Sequence, residues 1–281
     1  MQIITAIKEM QEKIAQYKHN GMTIGFVPTM GFLHEGHLSL VQEAKQKADL
    51  VVMSIFVNPL QFGPNEDYDR YPRDIVRDEQ LAKNAGVDIL FYPEVTEMYK
   101  DTRYFHISVS GLVDVLCGSK RPGHFDGVVT VLIKLFNIVL PTYAFFGKKD
   151  AQQVAVVMKM VEEFNFPIKI IPVETVREED GLAKSSRNVY LTSEEKQEAT
   201  VLYKSLQLAK TLIEEGETNS RSIIEKMTRF IQNHSQGNID YIEIYSFPNL
   251  KPLPNLQGHV LVALAVRFTN VRLIDNILLE I

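Results

Sequence analysis

The feature that most constrains the fold is an alternation of short apolar segments with amphipathic ones between residues 23 and 173. The segment at 50–57, LVVMSIFV, is continuously apolar and rich in β-branched residues, which is typical of a strand buried on both faces. Helical patterns separate these segments, and strands that alternate with helices form right-handed βαβ units. The sequence therefore predicts an α/β fold with a parallel sheet covered by helices on both faces.

The spacing of apolar residues gives the predicted limits of the elements. From Ile3 to Tyr17 they recur at intervals of four and three, which predicts an amphipathic helix over residues 3–17. A second helix is expected to open near Gly36. The remaining predictions for this half are strands at 23–27, 50–57, 87–93, 142–147 and 168–173, and helices at 74–85, 127–140 and 150–164.

The alternation ends near residue 175. A polar stretch follows, and then two helical patterns, at 194–215 and 219–234, precede three C-terminal strands. Helices and strands that are segregated along the chain are typical of an α+β unit. We therefore predict two domains, an α/β domain at 1–175 and a smaller α+β domain at 176–281.

Composition excludes several classes of function. The net charge is −5, so the surface as a whole has no electrostatic reason to bind nucleic acid or an anionic membrane. The single cysteine, Cys117, allows no internal disulfide and fits a reducing compartment. The N-terminus does not resemble a secretory signal, and the longest clean apolar run, at 260–266, is too short to span a bilayer. We therefore expect a cytoplasmic protein.

Two histidines follow the first predicted strand of the alternation. His34 and His37 lie in the segment PTMGFLHEGHL, at a strand end, a glycine-containing turn and a helix start. Ligands of open parallel sheets bind at the carboxyl ends of strands, where helix N-termini attract anions. Imidazole N–H groups at that place suit phosphate, particularly where negative charge grows in a transition state. Two histidines at this spacing also occur as metal ligands or as ordinary polar helix residues, but no third Cys, His or acidic residue with the spacing of a zinc ligand lies nearby.

Two later segments supply cations. Lys148 and Lys149 follow Gly147 at a strand end, and Asp150 is placed to cap the next helix or to bind a metal ion. The second segment is Lys184, Ser185, Ser186 and Arg187, which together offer an ammonium, two hydroxyls and a guanidinium to a polyphosphate. Taken alone, the first segment is more typical of a solvated basic turn with an N-cap aspartate. The second also fits a polar interdomain linker, although it has more donors than a linker requires.

Two further segments have the residues of a substrate site and its cover. Asn58 and Gln61 leave a strand end and offer amides to a small polar substrate. The residues at 62–73 and 117–125 are rich in Pro, Gly and charged residues, as expected of mobile loops, and His124 offers a cap or a donor.

These five segments, in this order, resemble the pantothenate synthetase (pantoate–β-alanine ligase) family over essentially the whole chain. The resemblance lies in PTMGFLHEGHLSLV, SIFVNPLQFGPNEDYDRYPR, RPGHFDGVVTVLIKLF, FFGKKDAQQ and GLAKSSRNVYL. The H-x-G-H element alone is shared more widely, by nucleotidylyl transferases and class I aminoacyl-tRNA synthetases. The resemblance implies a Rossmann-like N-terminal domain, a C-terminal lid domain and a homodimer. It implies ATP and Mg²⁺, and condensation of pantoate with β-alanine through a pantoyl adenylate.

The resemblance also implies roles for residues. His37 is the expected catalytic donor, with His34 and Lys149 beside it, and Asp150 is the expected metal ligand. Gln61 and Gln153 are expected to hold pantoate, and Gln61 to approach β-alanine. The residues implied for ATP are Met30, Gly31, Phe32, Leu33, His34, Glu35, Gly36, His37, Gly147, Lys148, Lys149, Asp150, Val176, Lys184, Ser185, Ser186 and Arg187.

Two alternatives use the same residues. A nucleotidylyl transferase would join a nucleotide to a phosphorylated small molecule and would not need β-alanine. A non-catalytic nucleotide sensor would keep the phosphate-binding turn but would not need the amides of Gln61 and Gln153.

Overall fold

The computed structural model describes residues 1–64 and 66–281. Its larger sheet has six parallel strands in the order β1-β4-β3-β2-β5-β6. The strands are β1 (Gln2–Ile4), β2 (Ile24–Thr29), β3 (Leu50–Ile55), β4 (Ile89–Phe91), β5 (Tyr143–Gly147) and β6 (Lys169–Val173). The central strands are apolar and largely buried, as expected for strands that helices cover on both faces.

Seven helices accompany this sheet in the described part of the chain. Their bounds are α1 (Ile7–His19), α2 (Glu35–Lys47), α3 (Ile75–Ala85), α4 (Val95–Met98), α5 (Leu116–Lys120), α6 (His124–Val139) and α7 (Ala151–Glu163). Helices α2 and α3 share one apolar cluster with one face of the sheet, and α1, α6 and α7 share another cluster with the opposite face. The sheet is thus covered on both sides, which confirms the predicted α/β class.

The C-terminal part has its own antiparallel sheet in the order β7-β8-β9. Its elements are α8 (Ser193–Glu214), α9 (Ser220–His234), β7 (Asn238–Ser246), β8 (His259–Arg267) and β9 (Arg272–Glu280). One face of this sheet packs on α8 and α9. The other face contributes Leu261, Ala263 and Ala265 to the apolar cluster on the α6 side of the larger sheet. Two sheets therefore lie on either side of residue 175, although the division into two domains stays a prediction.

The prediction of a helix over residues 3–17 was wrong for the first turn. Gln2–Ile4 is a strand that pairs in parallel with β4, and α1 begins only at Ile7. Ile4 is buried in the sheet, whereas Ile3 is 43% exposed, so the two side chains point to opposite sides as in a strand. The spacing of Ile3 and Ile7 imitated a helix because pairing with a strand that is distant in the sequence leaves no local signal.

Several other helices and strands begin or end a few residues away from the predicted positions. The predicted helix at 127–140 begins earlier, at His124, directly after Gly123, whose φ of 77° is in the left-handed region. The predicted strands at 50–57 and 87–93 are shorter, because β3 ends at Ile55 and β4 covers only Ile89–Phe91. The helices α4 and α5, of 4 and 5 residues, were not predicted.

Candidate active site

The site is located by the order of the strands. The chain moves outward from β2 to β3 and β4, and then returns to place β5 on the other side of β2. In such sheets the crevice at the carboxyl ends of the two central strands is where ligands bind, because the loops on either side diverge there. The turn at 30–34 follows β2, and the turn at 148–150 follows β5. The sheet therefore brings the two histidines and the two lysines to the same edge.

A cavity of about 230 Å³ opens at this edge. It brings together segments that lie more than a hundred residues apart in the sequence, and most of the predicted site residues line it. Those residues are Met30, His34, Gly36, His37, Asn58, Gln61, Gly147, Lys149, Asp150, Gln153, Val176, Lys184, Ser185, Ser186 and Arg187.

Five residues predicted for ATP do not line this cavity. Leu33 is fully buried, and Gly31 and Phe32 line a smaller cavity of about 190 Å³ on the other side of the turn. The carboxylate of Glu35 is exposed and lies 3.2 Å from Lys184 Nζ. Lys148 forms an ion pair with the exposed carboxylate of Glu174. Any contact of these residues with a nucleotide would therefore have to come from the backbone or from rearranged side chains.

The two histidines form a reciprocal cap at the start of α2. His34 is the N-cap residue, outside the helix, and its Nδ1 accepts the Gly36 N–H at 3.1 Å. His37 lies in the first turn, and its Nδ1 accepts the His34 N–H at 3.3 Å. A neutral imidazole that accepts at Nδ1 carries its proton on Nε2. Both rings therefore present an Nε2–H donor, next to a helix N-terminus that favours anions.

Both imidazoles are held in the neutral form. Burial, and then the charge of Lys149, lowers the pKa of His34 from 6.5 to about 4. Burial, together with the nearby His34 and Lys149, lowers the pKa of His37 well below its ordinary value. The ring centroids lie 4.1 Å apart, so two positive charges at these positions would repel each other strongly. The pair therefore acts as two neutral donors at physiological pH.

Cations of the 184–187 segment are paired with carboxylates. Arg187 binds Asp67 with two hydrogen bonds of 2.9 and 3.0 Å. Lys184 Nζ lies 2.6 Å from Glu178 and 3.2 Å from Glu35. Carboxylate and phosphate oxygens suit the same donors.

Of the two loops predicted to cover the site, Tyr71, Arg121 and His124 line the 230 Å³ cavity, and Asn65, within 62–73, is outside the described residues. Glu66 forms an ion pair with Arg121, and Asp67 forms the pair with Arg187 described above. The segment at 62–73 is thus tied both to the 117–125 segment and to the 184–187 segment, and its role as a cover stays a prediction. Arg121 was not predicted as a site residue, and only its place in a basic, glycine-rich loop signalled it.

The amides predicted for substrate differ in how they are held. Asn58 is 1% exposed, and its Nδ2 donates to Gln61 Oε1 and to the Gly127 carbonyl, while its Oδ1 accepts from Leu60 N–H and Tyr99 O–H. All four of its hydrogen-bonding positions are therefore used within the protein. Gln61 is fixed by Asn58 and by a contact of 3.0 Å from its Nε2 to Met30 Sδ. Asn58 thus orients Gln61.

His124, at the start of α6, orients two neighbours. Its Nδ1 lies 2.8 Å from the Gln61 carbonyl, and its Nε2 lies 3.0 Å from Arg121 Nη1. Because the guanidinium can only donate, His124 accepts at Nε2 and donates from Nδ1. Burial, and then the charge of Arg121, lowers the pKa of His124 to about 4.

The neutral His124 should make the protein less stable in acid. The folded pKa of about 4 lies below the ordinary value of 6.5, so the unfolded chain binds more protons between these limits. This contribution is fully present above pH 6.5 and is lost as the pH falls towards 4. His124 is only 9% exposed, so solvent screens this effect little. Between pH 7 and pH 5, the free energy of unfolding should fall by about 2 kcal/mol because of His124.

Urea unfolding at pH 7 and pH 5 measures this loss. The substitution His124→Gln keeps hydrogen-bonding groups at the site but does not titrate, so this variant should lose about 2 kcal/mol less than the wild type between the two pH values. Equal losses would contradict the neutral state of His124.

The C-terminal sheet reaches the lysine turn through one residue that sequence reasoning missed. Asn276, on β9, donates from Nδ2 to the carbonyls of Lys148 and Lys149 at 3.0 and 2.8 Å. A larger cavity of about 490 Å³ lies beside this contact, and Lys149, Asp150 and Gln153 line both cavities. No local pattern distinguishes an asparagine in a strand with this role, because its partners lie more than a hundred residues away.

Asp150 is placed at the N-terminus of α7 without capping it through its side chain. Its carboxylate lies 3.6 Å from Lys149 Nζ and is about half exposed. Among residues 1–64 and 66–281, no three His, Cys, Asp or Glu side chains cluster as a set of metal ligands. No helix in the same residues is long and apolar enough to cross a membrane.

Comparison with known proteins assigns a family to this architecture. The model of the pantoate–β-alanine ligase family matches residues 2–278. A pantothenate synthetase of Geobacillus sp. (strain WCH70) is 59% identical over 281 residues, which is 100% of both chains. The crystal structure of pantothenate synthetase from Thermus thermophilus superposes with a TM-score of 0.94 at 43% identity, covering 99% of each chain. A pantoate–β-alanine ligase from Francisella tularensis, described as complexed with beta-gamma ATP and β-alanine, has a TM-score of 0.80 at 35% identity, over 99% of this chain and 97% of that one.

The fold and the site define an ATP-dependent ligase of the adenylate-forming kind. The chain belongs to the pantoate–β-alanine ligase family. It condenses pantoate with β-alanine to pantothenate through a pantoyl adenylate, with release of AMP and pyrophosphate. This result displaces both alternatives, the transferase acting on a phosphorylated molecule and the non-catalytic sensor.

Proposed function

We propose that the 230 Å³ cavity binds the triphosphate of ATP between three segments of the chain. His34 and His37 donate from Nε2 at one side, Lys149 supplies a cation at a second, and the segment at 184–187 supplies donors at the third. The observation that carries this proposal is the convergence of these segments on one cavity at the switch point of the sheet. The crystal structure of the Francisella tularensis protein, complexed with beta-gamma ATP and β-alanine, supports ATP and β-alanine as ligands here.

The other contacts with ATP are those that the resemblance to the family implies. The turn at 30–37, the turn at 147–150, Val176 and the segment at 184–187 contact ATP in this proposal. Asp67 and the polyphosphate compete for Arg187, because both offer oxygens to the same guanidinium. Binding of ATP would therefore release Asp67 and move the cover that carries it.

Pantoate occupies the apolar part of the cavity in this proposal. Helix α6 and the strand ends line that part, with Phe56, Val128, Val131, Leu132 and Leu135. The branched, dimethyl-substituted carbon of pantoate gains from such a lining, while Gln61 and Gln153 supply polar contacts that orient its hydroxyls and carboxylate. Gln61 also approaches β-alanine, and Asn58 keeps the Gln61 amide in place.

The first half-reaction is the attack of the pantoate carboxylate on the α-phosphorus of ATP, with pyrophosphate as the leaving group. Such a step depends on positioning and on stabilisation of charge more than on proton transfer. His37, as the catalytic donor, and Lys149 stabilise the charge that grows on the phosphate oxygens. Because the imidazoles are neutral, they donate hydrogen bonds without adding charges that would repel Lys149.

The second half-reaction is the attack of the β-alanine amine on the acyl carbon of the adenylate, which releases AMP. The mixed anhydride is sensitive to hydrolysis, so the site must exclude water during its lifetime. The loops at 62–73 and 117–125, joined by the ion pair of Glu66 with Arg121, and the C-terminal domain at 176–281 provide this closure.

The Mg²⁺ that accompanies ATP fits the half-exposed carboxylate of Asp150, which lines both cavities. Mg²⁺ commonly binds through one or two carboxylates plus the phosphates of the substrate, and it neutralises phosphate charge when bound. One carboxylate that is open to solvent beside the triphosphate cavity is therefore a suitable protein ligand for a metal ion that arrives with the nucleotide.

The assembly and the compartment are also proposals. A homodimer is expected from the resemblance, and Tyr104 and Phe105, which are 84% and 89% exposed, offer an apolar surface for contact. Sedimentation of the purified chain tests it, and a monomer at micromolar concentration would contradict it. A cytoplasmic location agrees with the single, unpaired Cys117.

The test of the activity is the requirement for both substrates. Purified chain with ATP should form AMP at a steady rate only when pantoate and β-alanine are both present. With pantoate alone, exchange of labelled pyrophosphate into ATP should proceed. Steady formation of AMP without β-alanine, or exchange without pantoate, would contradict the proposal.

Truncation of the Gln153 side chain should weaken the binding of pantoate more than the binding of ATP. The variant Gln153→Ala loses one hydrogen bond to the substrate, so the KM for pantoate should rise about tenfold, while the KM for ATP changes less than about threefold. Steady-state kinetics with each substrate varied in turn measures this, with Gln236→Ala, an exposed glutamine before β7, as control. A change confined to ATP would show that Gln153 does not contact pantoate.

A further inference from the structure

The turn that carries the two histidines has an unfavourable backbone. Between β2 and α2, Gly31 has a φ of 83° and Phe32 has a φ of 50°. Glycine adopts such a conformation readily, but a phenylalanine does so only where its surroundings hold it there. The conformation matters because His34 follows Phe32 by two residues and His37 lies in the first turn of α2.

One buried carboxylate holds this turn. Asp78, in the first turn of α3, accepts the Phe32 N–H at Oδ2 over 2.6 Å and the Leu33 N–H at Oδ1 over 2.7 Å. Asp78 as a whole is only 1% exposed to solvent. A Cβ on Gly31 would lie 3.0 Å from Asp78 Oδ2, so the chain passes directly over the carboxylate. Two consecutive amides are thus captured by two oxygens of one side chain.

The carboxylate does not belong to the nucleotide site itself. Asp78 lines the 190 Å³ cavity behind the turn, and not the cavity that contains the histidines. In the part of the chain that the structure describes, its other charged partner is Arg77, whose Nη1 lies 3.5 Å from Oδ1 and whose guanidinium lies 5.2 Å from the Phe32 ring centre. Burial of an acid is costly, and hydrogen bonds to two amides offset that cost.

We propose that Asp78 is a positioning residue that fixes the turn at 31–33 and thereby places the Nε2–H groups of His34 and His37 for reaction with phosphate. This inference rests on the proposed role of the two histidines. A carboxylate fits the task because it only accepts hydrogen bonds, whereas an asparagine would direct its NH₂ at one of the two backbone donors. The loss of one contact should let the turn move, and a displacement of about 1 Å costs on the order of 100-fold in rate.

The test compares two substitutions at the start of the same helix. Asp78→Asn should lower kcat for pantoate-dependent pyrophosphate exchange about 100-fold, with KM values for ATP and pantoate within about threefold of the wild type. The control Asp74→Ala removes the N-cap of α3, whose Oδ1 accepts the Arg77 N–H at 3.1 Å, and should lower stability without a selective loss of kcat. A kcat for Asp78→Asn equal to that of Asp74→Ala would overturn the proposal.

A second measurement does not depend on activity. In ¹⁵N spectra of the imidazoles, the wild type should show His34 and His37 protonated only at Nε2, and Asp78→Asn should show mixed tautomers for both. Unchanged spectra would overturn the proposal, and they decide it even if the wild type formed no AMP and the proposed function failed. Should the variant not fold, hydrogen exchange in the wild type takes its place. The Phe32 and Leu33 amides should then be as protected as those in the middle of α2, and rapid exchange of both would overturn the inference.

Discussion

Replacement of His37 by alanine is expected to slow adenylate formation by about 10²–10³-fold, as loss of a transition-state donor does. The orientation and the charge of the ring are both fixed, because Nδ1 accepts the His34 N–H and burial keeps the imidazole neutral. Its Nε2–H is therefore available for a phosphate oxygen. Pantoate-dependent exchange of labelled pyrophosphate into ATP measures the step directly, without the β-alanine reaction.

The control and the pH dependence sharpen this prediction. His19→Ala, at the exposed end of α1, should leave the exchange rate within about twofold of the wild type. Because the pKa values of His34 and His37 are lowered, the wild-type rate should show no titration of either histidine near pH 6.5. A near-normal rate for His37→Ala, or a loss of rate below pH 6.5 that His37→Ala abolishes, would contradict the role of a neutral donor.

Replacement of Lys149 by alanine should also slow adenylate formation by about 10²–10³-fold. The side chain lines both cavities, and Asn276 fixes the backbone of its turn from the C-terminal sheet. In the proposed function this ammonium stabilises the charge of the leaving pyrophosphate. Lys149 lines the 230 Å³ cavity, with Asp150 3.6 Å from its Nζ, whereas the neighbouring Lys148 does not line it and is paired with Glu174. The same exchange assay measures the effect.

Alanine variants of two other lysines, one in the same turn and one in α7, test whether the loss of exchange rate is specific to Lys149. Lys148→Ala should cost less than about tenfold, because its ammonium lies outside the cavity. Lys159→Ala, which removes an exposed cation of α7, should leave the rate within about twofold. If all three variants were slowed equally, the effect would be one of net charge and not of a positioned donor.

The sequence was sufficient for the framework of the site because local patterns determine it. Continuous β-branched segments such as β3 predicted buried parallel strands, and the carboxyl ends of such strands predicted where His37 and Lys149 would meet. The histidine pair, the lysine turn and the segment at 184–187 were found because each is a dense group of donors directly after a strand or between domains.

The parts that the sequence did not reveal depend on distant contacts. Gln2–Ile4 is a strand only because β4 pairs with it, and Asp78 and Asn276 act on backbone groups from other elements. An isolated aspartate in a helix or asparagine in a strand has no local pattern that indicates such a role. The capping geometry of His34 was also not predicted, because it depends on the residue at which α2 begins.

The central claim is that two neutral imidazoles and the cations of two later segments bind one triphosphate. A crystal structure with an ATP analogue that resists cleavage tests it most directly. We expect phosphate oxygens within about 2.7–3.2 Å of His34 Nε2, His37 Nε2, Lys149 Nζ and the Arg187 guanidinium, with Asp67 released from Arg187. A triphosphate bound away from the histidines, with the pair of Asp67 and Arg187 intact, would contradict the account.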